Sequence, residues 1–458
     1  MFNVFLKVFS SNFIVLILKL VSGFLFPKWM TTSEYASYQL FLLYISYIGI
    51  LHLGFPTGMY INYAGIPYNQ IEKKHFKKEI EILIAILAFF SCVFFAAFLV
   101  TKKVLILEIG LCILPYCFVT AFQSLYQAWG EFGTFSKLNV ILSAVPIILA
   151  LAISIVTHAF YSINYIIAFE VAYLFAFIQI LYSIRKDLRI RSGEKVFCIQ
   201  NSNTLKFGFS VCVGNYINVL FHSVDKQFVA WLFSEQQFAQ YSFGLSLQNL
   251  MMIFITSLAQ PMINFLAVGK VNKDNFKHIK SILLAFGGLS GAAYFACLLI
   301  VKNFLPKYAA SMEITRVYFW TFPAMAMINC IYINLYRWKK KTKRYIVTLS
   351  EMLATAIVLN AVLTFIFKKA IAITFATAFV YAIWLILCSH DFKDFKLVVR
   401  DWIFLIVYTF IYFVSTSAGN LWVGALAYTT SYGILICLIY SSTGKWILHE
   451  FVGGKHAE

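Results

Sequence analysis

Residues 11–26 read SNFIVLILKLVSGFLF, an apolar stretch that contains a single charged residue, Lys19. With its neighbours it forms an apolar segment at 8–27, and about 20 such residues suffice for a helix to cross a bilayer. The chain of 458 residues is of similar character throughout, since 61% of it is hydrophobic and 12% is charged. Soluble proteins average about 45–50% apolar and about 25% charged residues. The composition therefore excludes a soluble globular protein and predicts an all-α, polytopic membrane protein.

Apolar runs of this length recur along the rest of the chain, between clusters of charged residues. They predict fourteen transmembrane helices, of which the thirteenth is the shortest. The segments expected outside the cell are short, so no folded extracytoplasmic domain is predicted. The predicted spans are 8–27, 35–63, 81–101, 104–128, 138–157, 163–184, 207–232, 238–260, 281–304, 314–336, 345–367, 370–389, 402–416 and 421–440.

The chain carries a net charge of +18, from 37 Lys and Arg against 19 Asp and Glu. No basic stretch is long enough to form a nucleic-acid-binding domain, so nucleic acid is not an expected partner. With the N-terminus placed in the cytoplasm, the inner segments hold 27 Lys and Arg and the outer segments hold 8. Cytoplasmic loops of membrane proteins are enriched in these residues. We therefore expect both termini in the cytoplasm and the basic loops beside anionic lipid headgroups.

Two parts of the sequence match each other at an offset of 200 to about 210 residues. Because each copy contains six spans, an even number, both copies enter the membrane from the same side, as in transporters built from parallel repeats. The predicted domains are six-helix bundles at 1–200 and 201–390, followed by two further transmembrane helices and a cytoplasmic tail at 391–458. The matched pairs are Tyr35 with Phe238, Ala36 with Ala239, Tyr38 with Tyr241, Lys77 with Lys277, Pro115 with Pro323 and Trp129 with Trp338.

Charged side chains inside the predicted spans are candidate functional residues. Each costs about 2.5–3.5 kcal/mol at mid-bilayer unless it has a partner or a water-filled cavity. Lys19 lies near the centre of the first span and Glu170 near that of the sixth. The two either form a structural ion pair or face a wet cavity, where Lys19 binds an anionic group and Glu170 a coupling ion. Lys226 is a further candidate for substrate binding, and Asp225 and Glu351 are candidates for ion coupling.

Asn215 and Asn218 are spaced i, i+3 on one face of the seventh span. Such amides either join helices by hydrogen bonds or line a path for sugar hydroxyls. The sequence contains no phosphate-binding loop, zinc-binding HExxH helix or nucleophile elbow, and its nine cysteines contain no CxxC pair. We therefore predict a protein that is not an enzyme and that uses no cofactor or metal.

The chain resembles the polysaccharide transporter branch of the multidrug, oligosaccharidyl-lipid and polysaccharide exporter superfamily, and the O-antigen flippases in particular. The resemblance covers residues 1 to about 390. It rests on the first-span pattern at 11–26 and on residues at or after the first and seventh spans, namely Glu34, Tyr35, Ala36, Tyr38, Asp225, Lys226, Phe238, Ala239 and Tyr241.

This resemblance implies a V-shaped, MATE-like pair of six-helix bundles that open alternately to the two sides, with coupling to H+ or Na+. It implies a substrate in which a surface-polysaccharide repeat unit is attached to undecaprenyl pyrophosphate and crosses a bacterial inner membrane. It also implies Lys19 as a cation of the cavity, and polysaccharide polymerase machinery as a partner. Two spans beyond twelve also occur in related lipid II flippases.

Two other classes remain open. A drug or cation antiporter of the same fold would prefer an acidic cavity, whereas Lys19 is cationic. A membrane glycosyltransferase or polymerase would need a large outer loop or a set of catalytic carboxylates, and the sequence indicates neither.

Overall fold

The computed structural model describes residues 2–189, 199–267 and 273–453 of the chain. All regular secondary structure within these residues is helical, which confirms the all-α prediction. Twelve helical segments are long and apolar enough to cross a membrane, and one bent pair of helices would make a thirteenth. The protein is therefore a multi-pass membrane protein. The basic segment predicted on the inner side at 185–206 lies partly outside the described residues, at 190–198.

Contacts between Cα atoms divide the chain into two compact units, Met1–Ser223 and Val224–Glu458. The division falls inside the helix that forms the predicted seventh span, not in a loop. The domain limits expected at 200 and 390 stay predictions, because a division by contacts does not define a repeat.

The first unit contains seven complete helices and most of an eighth. Helices α4 and α5 pack along each other, and α6 packs against both α1 and α7. Helix α7 begins where the Glu34 carboxylate accepts hydrogen bonds from the amide and hydroxyl of Ser162, at 2.6 and 2.7 Å. The helices are α1 Phe2–Trp29, α2 Thr32–Ile48, α3 Phe55–Tyr63, α4 Lys73–Thr101, α5 Val104–Ala128, α6 Phe132–Val156, α7 Ser162–Leu188 and α8 Ile199–Leu232.

The predicted second span, 35–63, is a bent pair of helices. Between α2 and α3 the chain makes a 3₁₀ turn at Gly49–His52, and the two helical parts meet at 63°. Gly54 has a φ of 75°, and a Cβ atom there would overlap the backbone of Gly208 on α8. Only glycine meets both conditions, a left-handed backbone and a close approach by another helix. Pro56 follows in the first turn of α3, where its missing N–H costs nothing.

A buried carboxylate attaches the start of α8 to α3 and α4. Glu79 on α4 is fully buried and accepts hydrogen bonds from the hydroxyls of Tyr63 at 2.5 Å and Thr204 at 3.5 Å. The Nε2 atom of His75 lies 3.3 Å from the same carboxylate. Asn62 donates to the Thr204 hydroxyl at 2.9 Å. Because a buried carboxylate is tolerated only when it is well paired, these contacts hold three helices in one arrangement.

The loop between α3 and α4 is fastened to the end of α7. The Tyr68 hydroxyl donates to Asp187, and the ammonium of Lys73 lies 3.4 Å from the same carboxylate and 3.2 Å from the centre of the Tyr68 ring. Burial, together with the Asp187 carboxylate, raises the pKa of Tyr68 above its usual value. The hydroxyl therefore stays protonated and keeps donating at neutral pH.

Within its described residues, 224–267 and 273–453, the second unit contains ten helices that follow α8. The predicted tenth span, 314–336, consists of three short helices and a π-helical turn at Ile328–Tyr332 rather than one long helix, and Pro323 begins the middle segment. Helices α17 and α18 pack on each other and against α10, α11 and α12. The helices are α9 Glu235–Ala267, α10 Lys273–Gly288, α11 Ser290–Phe304, α12 Ser311–Trp320, α13 Phe322–Met327, α14 Ile333–Trp338, α15 Thr342–Phe367, α16 Ala370–Asp391, α17 Val399–Thr416 and α18 Leu421–Gly453.

Each unit contains a hydrogen bond from a buried cysteine thiol to a helix carbonyl. In the first, the thiol of Cys117 donates to the carbonyl of Ile48 at 3.5 Å. In the second, the thiol of Cys330 donates to the carbonyl of Ile255 at 3.4 Å. Cys117 follows Pro115 by two residues and Cys330 follows Pro323 by seven, so the two cysteines do not occupy corresponding positions of the repeat. The superposition of the two halves stays a prediction.

Candidate functional site

The bend between α2 and α3 lines a polar cavity of 440 Å³ in the first unit. Its walls come from the 3₁₀ turn, from α3, from the middle of α5 and from α8. Its lining residues include no Asp, Glu, Lys or Arg. The lining residues are His52, Pro56, Thr57, Tyr60, Ile61, Thr120, Ala121, Ser124, Val211 and Asn215.

Several groups in this cavity have hydrogen-bonding capacity to spare. The amide of Gly54 donates to Nδ1 of His52 at 3.0 Å, which leaves the proton of the neutral ring on Nε2 as a donor. The hydroxyls of Thr120 and Ser124 donate to carbonyls one turn earlier in α5, at 3.0 and 3.3 Å, and their oxygens remain acceptors. Asn215 adds an amide with both functions. Such a lining suits an uncharged, hydroxyl-rich ligand.

Of the sequence-predicted substrate residues, Asn215 lies in this cavity and Asn218 does not. Asn218 is half-buried one turn further along α8. Lys19 is exposed on α1, and Glu170 is half-buried on α7, where its nearest polar neighbour is the thiol of Cys112 at 3.9 Å. No ion pair joins Lys19 to Glu170, both of which the structure describes. The structural pairing considered for these two residues is therefore not formed in this conformation.

Asp225 belongs to the second unit and lies in a cluster of tyrosines. Its buried carboxylate accepts hydrogen bonds from Tyr318 and from Tyr241, the latter at 3.1 Å, and the two hydroxyls lie 2.6 Å apart. The backbone amide of Lys226 donates to its other oxygen at 2.7 Å. The ammonium of Lys226 lies 5.6 Å from the ring centre of Phe238. Asp225 is thus a carboxylate surrounded by hydroxyl groups, a setting that can accommodate a proton or a small cation.

Glu351 takes part in a surface ion network on α15. Its carboxylate lies 3.3 Å from Arg344, whose guanidinium also binds Asp391 through two hydrogen bonds of 2.8 and 3.2 Å. Tyr336 donates to the same aspartate at 2.5 Å. These contacts explain Glu351 as a partner of Arg344, and its expected role in ion coupling stays a prediction.

Sequence reasoning did not single out His52, Thr57, Thr120 or Ser124. One signal for them was present: the predicted second span is longer than the roughly 20 residues that cross a bilayer, and it contains Gly49, Gly54 and Pro56. A helix break was therefore to be expected there, and broken helices in transporters line binding sites.

No family model and no curated protein sequence matches the chain. Solved structures that are similar to it include two membrane transporters. One is the lipid II flippase MurJ in an inward closed conformation, with a TM-score of 0.70, 14% sequence identity, and coverage of 94% of this chain and 98% of that one.

The other is a multidrug resistance MATE family transporter of the MOP superfamily in an outward-facing conformation. Its TM-score is 0.50, with 10% identity and coverage of 88% of this chain and 96% of that one. At such identities the similarity shows the fold alone. The chain therefore has the fold shared by these two membrane transporters, and the predicted fold class is confirmed.

Proposed function

We propose that this protein is a flippase that moves an undecaprenyl-pyrophosphate-linked oligosaccharide from the inner to the outer leaflet of a bacterial inner membrane. The oligosaccharide is the repeat unit of O-antigen or of a similar surface polysaccharide. The fold shared with a lipid II flippase supports the general reaction. The first-span pattern and the residues that resemble O-antigen flippases support the class of substrate.

The observation that carries this proposal is the uncharged polar cavity at the bend between α2 and α3. Sugar hydroxyls lose their hydrogen bonds to water when they enter a bilayer, at a cost of about 1–3 kcal/mol for each unpaired group by protein mutational data. His52, Asn215 and the hydroxyls of α5 offer replacement donors and acceptors. A drug that is a lipophilic cation would instead favour an acidic cavity, and this lining contains no carboxylate.

The charged candidates complete the proposal. Lys19 neutralises the pyrophosphate, and Lys226, Asn215 and Asn218 make further substrate contacts. Asp225, Glu170 and Glu351 couple transport to H+ or Na+, and the hydroxyl-lined carboxylate of Asp225 is best suited to hold the ion. Both termini lie in the cytoplasm, and the polysaccharide polymerase machinery receives the product. The protein catalyses no covalent step.

The test is complementation of a deletion strain, with surface polysaccharide measured on intact cells. We expect the wild-type gene to restore it, and Asn215→Leu or His52→Phe to lower the export rate by about tenfold, as the loss of one hydrogen bond predicts. Ile61→Leu, a conservative change in the same cavity, serves as the matched control. Normal polysaccharide in the deletion strain would reject the proposal, and efflux of a cationic dye in place of polysaccharide export would indicate a drug antiporter.

A further inference from the structure

The first unit contains a second cavity, larger than the polar one, with a volume of 600 Å³. Apolar and aromatic side chains of α2, the bend, α4, α5 and α8 line it, among them Tyr44, Tyr47, Ile106 and Tyr216. Lys103, at the N-cap of α5, is the one charged residue among its lining residues, and it is exposed. The cavity thus combines an interior of aliphatic side chains and aromatic rings with a cation in its wall.

This cavity adjoins the polar one through consecutive residues of the chain. At the bend, Leu51 lines the apolar cavity and His52 lines the polar one. On α8, Tyr216 lines the apolar cavity and Asn215 lines the polar one. Neighbouring residues of a helix point about 100° apart. The bend and α8 therefore contribute side chains to both cavities, and the second cavity has the more apolar lining.

The polar cavity lacks a cation among its lining residues, so it suits the sugars of a lipid-linked oligosaccharide better than its phosphates. Lys103 supplies the second cavity with the cation that the polar cavity lacks. A lysine can lay its aliphatic stem against apolar surface while its ammonium stays near water, and an ammonium is a compact charge that binds phosphate. The apolar interior beside Lys103 offers the hydrocarbon chain of a lipid an environment similar to that of the bilayer.

We infer that this second cavity is a subsite for the lipid carrier, in which the first isoprene units occupy the apolar interior and the phosphate contacts Lys103. The inference rests on the proposed function, because it takes the carrier lipid of that reaction as the ligand. In the proposed topology Lys103 lies on the outer side. The subsite therefore holds the carrier after its sugars have crossed, before it is released to the outer leaflet.

The experiment uses the full-length protein in phosphatidylcholine nanodiscs and an undecaprenyl phosphate with a photoreactive diazirine near its head. Labelled peptides are mapped by mass spectrometry. We expect labelling on the first turns of α5 and on α2. Lys103→Glu should lower it by about fivefold or more, the effect of about 1 kcal/mol for each basic residue at an anionic surface. Lys103→Arg should retain most of it, and Ile106→Trp should block the interior.

Lys102→Glu and Val104→Trp are the matched controls, since both residues are exposed neighbours that do not line the cavity. Both variants should label as the wild type does. Equal labelling of Lys103→Glu and wild type would overturn the inference, as would equal labelling by a diazirine analogue of undecaprenol, which lacks the phosphate. Stronger labelling by a diazirine phosphatidylglycerol would assign the site to membrane phospholipid and would overturn it too.

The export assay separates this inference from the proposed function. Phosphate-dependent labelling in a protein that fails to restore surface polysaccharide would reject the function and leave the lipid subsite standing. Restored polysaccharide together with equal labelling of Lys103→Glu and wild type would support the function and reject the lipid subsite.

Discussion

Lys19 is a charged residue within a predicted membrane span. It lies in the middle of α1, is exposed, and forms no ion pair with Glu170. A lysine about ten residues from either end of a span is about 15 Å from the interfaces, which is too far for easy snorkelling. A charge at that depth needs a partner or water, so the absence of an ion pair with Glu170 leaves a hydrated cavity as the prediction for Lys19.

We therefore expect Lys19→Ala to leave folded protein in the membrane but to abolish export, and Lys19→Arg to retain part of it. Adding Glu170→Ala to Lys19→Ala should not restore export. Surface polysaccharide and the amount of membrane-inserted protein are measured together for each variant. Full export by well-expressed Lys19→Ala would exclude a functional role, and recovery of both yield and export in the double variant would indicate a structural pair.

At the scale of elements, a buried ion pair connects α17 to α10 within the second unit. The ammonium of Lys280 on α10 lies 3.0 Å from the carboxylate of Asp401 in the first turn of α17, and both side chains are almost fully buried. Lys280 also donates to the carbonyl of Lys396 at 2.8 Å, and Asp401 accepts the amide of Val398 at 3.0 Å. The pair thus connects α10, the preceding loop and the start of α17.

Removing one partner of a buried pair costs about 3–5 kcal/mol, because the other charge is left without compensation. We expect Lys280→Met to destabilise the protein by this amount in thermal unfolding in detergent. Adding Asp401→Asn should restore most of the loss, since asparagine removes the charge and can still cap α17. Lys302→Met, at an exposed lysine of the same unit, is the control. A loss of less than about 1 kcal/mol, the usual value of a surface pair, would contradict the prediction.

For the whole molecule, the distribution of basic residues predicts the orientation in the membrane. The bias of 27 Lys and Arg on one side against 8 on the other acts through the preference of short basic loops for the cytoplasm. The loops at 64–80, 185–206 and 337–344 should therefore face inward. Helical geometry alone is compatible with either orientation.

Single cysteines on a cysteine-free background test this orientation with a membrane-impermeant thiol reagent on intact cells. We expect Lys340→Cys to be protected until the cells are lysed and Lys369→Cys to react at once. Both positions are exposed, so access to the thiol is not limited by packing. Labelling of position 340 in intact cells would reverse the whole topology.

The sequence alone was sufficient for the helical class and for nearly all of the spans, because a bilayer demands long apolar helices and charged clusters mark their ends. Thirteen of the predicted spans correspond to helices or to the bent pair, and the tenth, 314–336, to a series of short helices. Asn215, singled out from its spacing on α8, lines the polar cavity, and its role in binding stays a prediction. The same rules do not say which face of a helix meets which neighbour.

Those pairings were decided by tertiary structure alone. The partners of Glu79 lie on α3, α4 and α8, and Thr204 is 125 residues away in sequence. Asp225 is bound by Tyr318, 93 residues away. The bend at Gly54 packs closely against Gly208 on α8, a contact that no local pattern encodes. Composition determines that a segment enters the membrane, whereas close packing between distant segments determines where a polar side chain finds its partner and where a cavity is left.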